Sequence, residues 1–210
     1  MSTSQTFGDW VTLDGISFSM DSVESFNTAI DKFIASLDDS VKLIALGEAL
    51  HGGEGFLMLR NKLFQRLAEV HGFSAIAIES SFPKGHIVNE YVNGNGSDSY
   101  ESIKENGFSH GFGLLEANRE LVEWMRQYNA DSSHNTKLRF YGIDSPTEMT
   151  GTDSPRQVLR FVLDYLDLID DESGKARRER IETLIGLDSN WENPSAIMDA
   201  SKSVGLSIQS

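Results

Sequence analysis

Val41-Lys42-Leu43-Ile44-Ala45-Leu46-Gly47-Glu48-Ala49-Leu50-His51-Gly52-Gly53-Glu54 is followed by a helical pattern through Leu59, Leu63, Leu67 and Val70 that closes at His71-Gly72, and then by Ala75-Ile76-Ala77-Ile78-Glu79. An apolar run of strand length, an amphipathic helix and a second apolar run within about 40 residues make the crossover unit of a parallel sheet. Short apolar runs without alternation suit strands covered on both faces. The unit recurs downstream. Leu114, Leu115, Leu121, Val122, Met125 and Tyr128 mark a helix, and Leu138 to Ile143 reads as a third strand ending at Asp144. Upstream, Phe26, Ala29, Ile30, Phe33, Ile34 and Leu37 recur at helical spacing, with Asp21 and Glu24 as the expected capping pair. Val158, Leu159, Val162, Tyr165, Leu166 and Ile169 trace a further helix.

The expected fold is therefore α/β, a parallel sheet with flanking helices over residues 20–170, after an amino-terminal extension (1–20). Residues 171–210 read as a helical segment opening on Lys175-Ala176-Arg177-Arg178-Glu179-Arg180. The weak periodicity of Asn193 to Ser210 predicts an incomplete, truncated domain whose second half lies beyond it. A polar stretch from Asn93 to Gly113 is expected to loop over one end of the sheet.

Composition narrows the function. The 210 residues carry 18 Lys and Arg against 32 Asp and Glu, a net charge of −14. Such a surface repels phosphate backbones and anionic lipid, so neither nucleic acid nor membrane is an expected partner. With no cysteine, disulfides, thiolate metal sites and cysteine nucleophiles are all absent. The polar start, Met1 to Asp14, lacks the layout of a signal peptide, and a cytoplasmic location is expected. Oligomeric state is not legible.

Three expected strands end in acids: Glu48, Glu79 and Asp144. Parallel strands put these at the carboxyl edge of the sheet, where open α/β sheets bind ligands. Beside Glu48 lies His51, the residue able to exchange a proton near neutrality, in a loop with four glycines (Gly47, Gly52, Gly53 and Gly55). Arg60 follows within about two turns of the helix start and is expected to neutralise Glu48 or Glu79, and with that to position the substrate or stabilise a developing oxyanion. His86 and His110 flank the same edge as candidates for substrate contact, together with Asp144. His71, at a helix end beside Gly72, reads as structural, and His134 lies in a polar loop.

Three tempting motifs fail on context. Gly107-Phe108-Ser109-His110-Gly111 matches G-x-S-x-G, but a nucleophile elbow needs a strand before it and Ser102 to Asn106 is polar. The Gly47 loop lacks the G-K-[ST] of a phosphate-binding loop, and no H-E-x-x-H occurs.

Leu46 to Gly52, then Arg60, then Phe73 to Glu79, with Glu116, Leu121 to Asn129 and Phe140 to Asp144, resembles the erythromycin esterase family. The likeness runs from about Val41 to Ser145. It implies an α/β fold and hydrolysis of a carboxylic ester, the macrolactone of a macrolide antibiotic, by an activated water. It implies His51 as general base, Glu48, Arg60 and Glu79 as the other catalytic positions, and no cofactor, metal or covalent serine intermediate. Leu50 replaces a small or polar residue of the family pattern, and Gly53 extends the glycine run. Two other readings of the same residues stay open: a metal-dependent hydrolase using Glu48, His51, Glu79 and Asp144, and a non-catalytic or biosynthetic binding protein on the same scaffold.

Overall fold

The computed structural model describes residues 6–144, 155–169, 171–187 and 199. Helices α1 (Phe7–Asp14), α2 (Val23–Ala35) and α3 (Glu54–Val70) precede strand β1 (Ala75–Ser81), helices α4 (Phe82–Val92) and α5 (Glu116–Ala130), strand β2 (Arg139–Asp144), and helices α6 (Pro155–Ile169) and α7 (Asp171–Ile185). Short 3₁₀ turns at Tyr100–Ser102 and Phe112–Leu114 punctuate the stretch between α4 and α5. The α/β class and the parallel order stand: β1 and β2 pair in parallel, Ala75 opposite Arg139 and Ile78 opposite Gly142, with an irregularity before Ser81 meets Asp144.

Several elements differ from the sequence expectation. Val41 to Leu46 is not a strand: β1 and β2 are the paired strands among the described residues, and Leu43 is 84% exposed. A strand exists only where a neighbour takes up its N–H and C=O groups, and apolar content cannot substitute for that partner. The cap of α2 is Ser22, whose side chain accepts from Ser25 N, rather than Asp21. Helix α1 occupies the expected extension, started by a capping box in which Thr6 accepts from Asp9 N and the Asp9 side chain accepts from Thr6 N. Helix α4 has no counterpart in the sequence expectation. It follows β1 without a loop, with Pro83 in its first turn where a missing N–H costs nothing. Of the weakly periodic stretch 193–210, all but residue 199 lies outside the described residues, as does 145–154.

The main core gathers Phe64 and Ala68 from α3, Ile78 from β1, Val88, Tyr91 and Val92 from α4, Tyr100, Ile103 and Phe108 from the connecting stretch, Leu121, Val122 and Met125 from α5, and Leu138 and Phe140 at β2. Tyr100, Phe108 and Phe140 continue one another ring to ring, with centroids 6.2 and 5.8 Å apart. Two glycines make the α4–sheet contact possible. A Cβ on Gly85 would stand 2.3 Å from the Gly142 nitrogen, and one on Gly142 would stand 2.3 Å from the Ser81 carbonyl oxygen. A smaller core of Phe26, Leu63 and Leu67 joins α2 to α3. Asp31 reinforces it, accepting from Arg66 Nε and Nη2 at 2.9 and 2.6 Å and from His71 Nε2 at 2.7 Å. His71 is thus the structural residue its position suggests.

No helix among the described residues is long and apolar enough to cross a membrane.

Candidate active site

The Gly47 loop reaches α3 through a turn in which Gly52 adopts φ +70° and Gly53 caps the helix, its N–H donating to Leu50 O at 3.1 Å. Just before that turn, His51 meets Glu48 three residues back. His51 Nδ1 lies 2.9 Å from Glu48 Oε2 and 3.7 Å from Glu79 Oε2 on β1. A carboxylate only accepts, so Nδ1–H is the donor and the neutral ring keeps its Nε2 lone pair for another proton. The ring side chain is 69% exposed, which leaves it open to water. Its pKa is raised above 6.5, first by the bond to Glu48 and then by the charges of Glu79 and Glu48.

Arg60 does not do what its position in the sequence suggests. Its Nε and Nη2 donate to Asn61 Oδ1 at 3.2 and 2.8 Å, and Nη2 donates to Asn118 Oδ1 at 2.7 Å. It forms no ion pair with Glu48 or Glu79 among the described residues. Burial pushes its pKa down to about 10, against the pull of the Glu48 charge. The guanidinium therefore meets Glu48 through space rather than as an ion pair, and the His51 pKa stays raised.

Sequence reasoning missed the frame around Arg60. Asn61 Nδ2 donates to Ala117 O at 2.6 Å, and Asn118 Nδ2 donates to Phe112 O at 2.9 Å. Asn61 and Asn118 are 4% and 1% exposed, and buried amides of this kind must be hydrogen-bonded. Glu54 completes the frame: its carboxylate accepts from Glu116 N and Ala117 N, both at 2.9 Å, at the start of α5. An acid there answers the free N–H groups and positive dipole end of the helix. The signal was available in the sequence. Asn61 shares a helix face with Leu57 and Phe64, and Asn118 with Leu121, Val122 and Met125, so each is polar in an apolar phase.

On the other side of Glu79, His110 Nε2 stands 3.4 Å from Asp144 Oδ2 at the end of β2. His110 has φ 58°, the one non-glycine residue among the described residues in the left-handed region. Glu48, His51 and Glu79 offer one ligand atom each within 4.8 Å of one another, and so do Glu79, His110 and Asp144. Glu79 thus belongs to both groups. Phe112 approaches both rings, 6.2 Å from His51 and 5.3 Å from His110 between centroids. The acids Glu48, Glu79 and Asp144 are therefore gathered in one region, although Glu48 is in no strand and Glu79 stands two residues before the end of β1.

The remaining candidates lie elsewhere. His86 is on α4 with its ring 5.2 Å from that of Phe161 on α6 and is not part of either group. His134 stacks on Tyr128 at 3.6 Å. Ser109 is 8% exposed. Its Oγ accepts from Ser81 N and its own N–H donates to Ser80 Oγ, so it ties a loop to the end of β1 and is no nucleophile elbow.

This geometry sits on a recognisable sequence. Erythromycin esterase type II of Escherichia coli is 29% identical over 140 residues, 67% of this chain and 32% of that protein. Erythromycin esterase type I of Escherichia coli is 23% identical over 172 residues, 81% of this chain and 38% of that protein. The matched stretches thus span about a third of either relative. A Bacillus cereus protein of known crystal structure superposes with a TM-score of 0.61 at 21% identity, over 77% of this chain and 36% of that one, which shows a shared fold. The profile of the erythromycin esterase family matches residues 68–205, a range that holds Glu79, His110, Asn118 and Asp144 and begins after Glu48, His51 and Arg60. With well over half of its residues matched, the chain belongs to the erythromycin esterase family.

Proposed function

We propose that this protein hydrolyses a carboxylic ester by water that His51 activates. One observation carries the reading: His51 is held by Glu48 at 2.9 Å, faces Glu79, and remains open to solvent. With Nδ1–H committed to Glu48, Nε2 of the neutral ring takes a proton from water as that water attacks the ester carbonyl. Glu79 stabilises the imidazolium that forms, and Arg60, fixed by Asn61 and Asn118, tempers the negative field. Glu48, His51, Arg60 and Glu79 are the catalytic set in this reading, with Asp144 and His110 facing the substrate. Family membership supports hydrolase chemistry. The names of the two Escherichia coli relatives support a macrolide lactone as the substrate, a small molecule whose amino-sugar suits an acidic protein.

The test is replacement of His51 by Ala or Asn, followed by assay of macrolactone opening by mass spectrometry. Loss of hydrolysis with the fold retained is expected, and an active His51→Ala protein ends the reading. A metal-dependent hydrolase is the second reading, favoured by the two triads whose ligand atoms lie within 4.8 Å. His nitrogen and carboxylate oxygen suit zinc or manganese. Elemental analysis after chelation, paired with assay of the treated protein, separates them: activity without metal excludes the second reading.

A further inference from the structure

In the His51 reading, the ring that takes the proton of the attacking water is the one acid so far assigned to the departing alcohol. An alkyl alkoxide is a poor leaving group, and its departure from a tetrahedral intermediate needs an acid. The structure holds a second imidazole–carboxylate couple one carboxylate away from the first. His110 is turned to Asp144, 3.4 Å from its carboxylate, and Glu79 lies within 4.8 Å of both while also facing His51. The rings of His51 and His110 each approach Phe112, at 6.2 and 5.3 Å. The two imidazoles thus share one aromatic ring and one carboxylate near the carboxyl ends of β1 and β2. The backbone is specialised to put His110 there, since φ 58° is a conformation most side chains avoid.

We propose that His110, oriented by Asp144, is the proton donor to the leaving alcohol, and that the site is built for alkyl esters. The inference rests on the hydrolytic reading of His51. The water oxygen bonds to the carbonyl carbon, its proton goes to His51, and the carbonyl π pair moves onto oxygen. As that pair returns, the bond from carbon to the alcohol oxygen breaks, and the oxygen leaves with the bond pair and the His110 proton. The products are acid and alcohol, with His51 charged and His110 neutral. Exchange of one proton with solvent at each ring restores the start. Asp144 is a positioning residue in this scheme, holding the ring toward the substrate.

The test compares two esters of one acid in the full chain. An ethyl ester needs a proton on its leaving oxygen, whereas a p-nitrophenyl ester leaves as a stable anion. His110→Asn keeps a residue that tolerates the left-handed backbone, and His110→Gly provides the same test should the Asn protein not fold. The expected result is a fall in kcat on the ethyl ester of about 100-fold or more, at least about tenfold greater than the fall on the p-nitrophenyl ester. Asp144→Asn is expected to show the same asymmetry at smaller size, which a merely structural role would not produce. Equal loss on both esters, or no loss on either, overturns the role of His110 while leaving that of His51 intact. Failure of the unsubstituted chain both to open a macrolactone and to hydrolyse either ester overturns the hydrolytic reading and this inference with it.

Discussion

Replacing Asn118 by Leu tests whether the Arg60 frame holds the site together. Leucine is somewhat larger than asparagine, so a void is not the main consequence. Two hydrogen bonds are lost. One is charge-assisted, from Arg60 Nη2 to Asn118 Oδ1 at 2.7 Å, and such bonds contribute about 1.5–3 kcal/mol. The other runs from Asn118 Nδ2 to Phe112 O at 2.9 Å, and a neutral bond of this kind contributes about 0.5–1.5 kcal/mol. Burial of leucine offsets part of this, leaving a destabilisation of roughly 1–3 kcal/mol. For a chain of this size that is a fall in Tm of roughly 2–12 °C, at about 2–4 °C per kcal/mol. Among the described residues Arg60 keeps Asn61 as its one side-chain acceptor, and the Phe112 carbonyl, at the residue that both imidazoles approach, keeps the Leu115 N–H at 3.2 Å.

The assay is urea unfolding of the wild type, Asn118→Leu, Arg60→Met and the double variant. A direct bond predicts a coupling energy of about 1.5 kcal/mol or more between the two positions. Additive losses, or an Asn118→Leu protein within about 0.5 kcal/mol of wild type, refute the claim that Asn118 fixes Arg60.

The pH profile of ester hydrolysis gives a second test. Glu48 and Glu79 raise the pKa of His51 above 6.5, so the neutral, water-activating ring becomes abundant only on the alkaline side of that value. The rate is expected to climb with pH through the raised pKa, and in Glu48→Gln the limb moves to lower pH; a limb that stays in place removes Glu48 as its cause. Asp31 is held at about 2, against 3.8 in the unfolded chain, by Arg66 first and then His71. Its stabilising effect is present above pH 3.8 and is lost as pH falls toward 2. Asp31→Asn should therefore lower Tm at about pH 6 and converge with wild type near pH 2, as followed by circular dichroism. Gly142→Ala forces a Cβ to 2.3 and 2.5 Å from the Ser81 and Ser80 carbonyl oxygens. It should cost more than the about 1–3 kcal/mol of ordinary overpacking, since backbone on both sides must move; a soluble protein with unchanged Tm contradicts the tight α4–sheet contact.

What was legible in the sequence depended on whether a signal was local. Phe26 with Ala29, Leu63 with Leu67, and Leu121 with Val122 and Met125 announce buried helix faces by spacing alone, because the helical period is set within a few residues. Ala75 to Ile78 and Leu138 to Ile143 became the paired strands, the latter shifted by one residue, because each found the other. Val41 to Leu46 has a similar composition and no such neighbour among the described residues, and strand formation is a property of the pair. Helix α4 has no counterpart in the sequence expectation, and it holds Pro83 and Gly85, residues that ordinarily disfavour helix. In place, Pro83 starts the helix and Gly85 admits Gly142.

The candidate site shows the same division at closer range. Glu48 and His51 meet because they are three residues apart in one loop, and that pairing is readable from spacing. Arg60 is misread in the sequence because charge alone suggests its partner. A guanidinium on the buried side of α3 takes the acceptors that the fold brings to it, and those come from Asn61 beside it and from Asn118, 58 residues on. Neutral acceptors satisfy its donors without cancelling its charge, so its field still reaches Glu48. A direct ion pair would have pulled a glutamate away from His51. Holding the cation on amides leaves both glutamates to the imidazole, and the misreading of Arg60 thereby points to what the two buried asparagines are for.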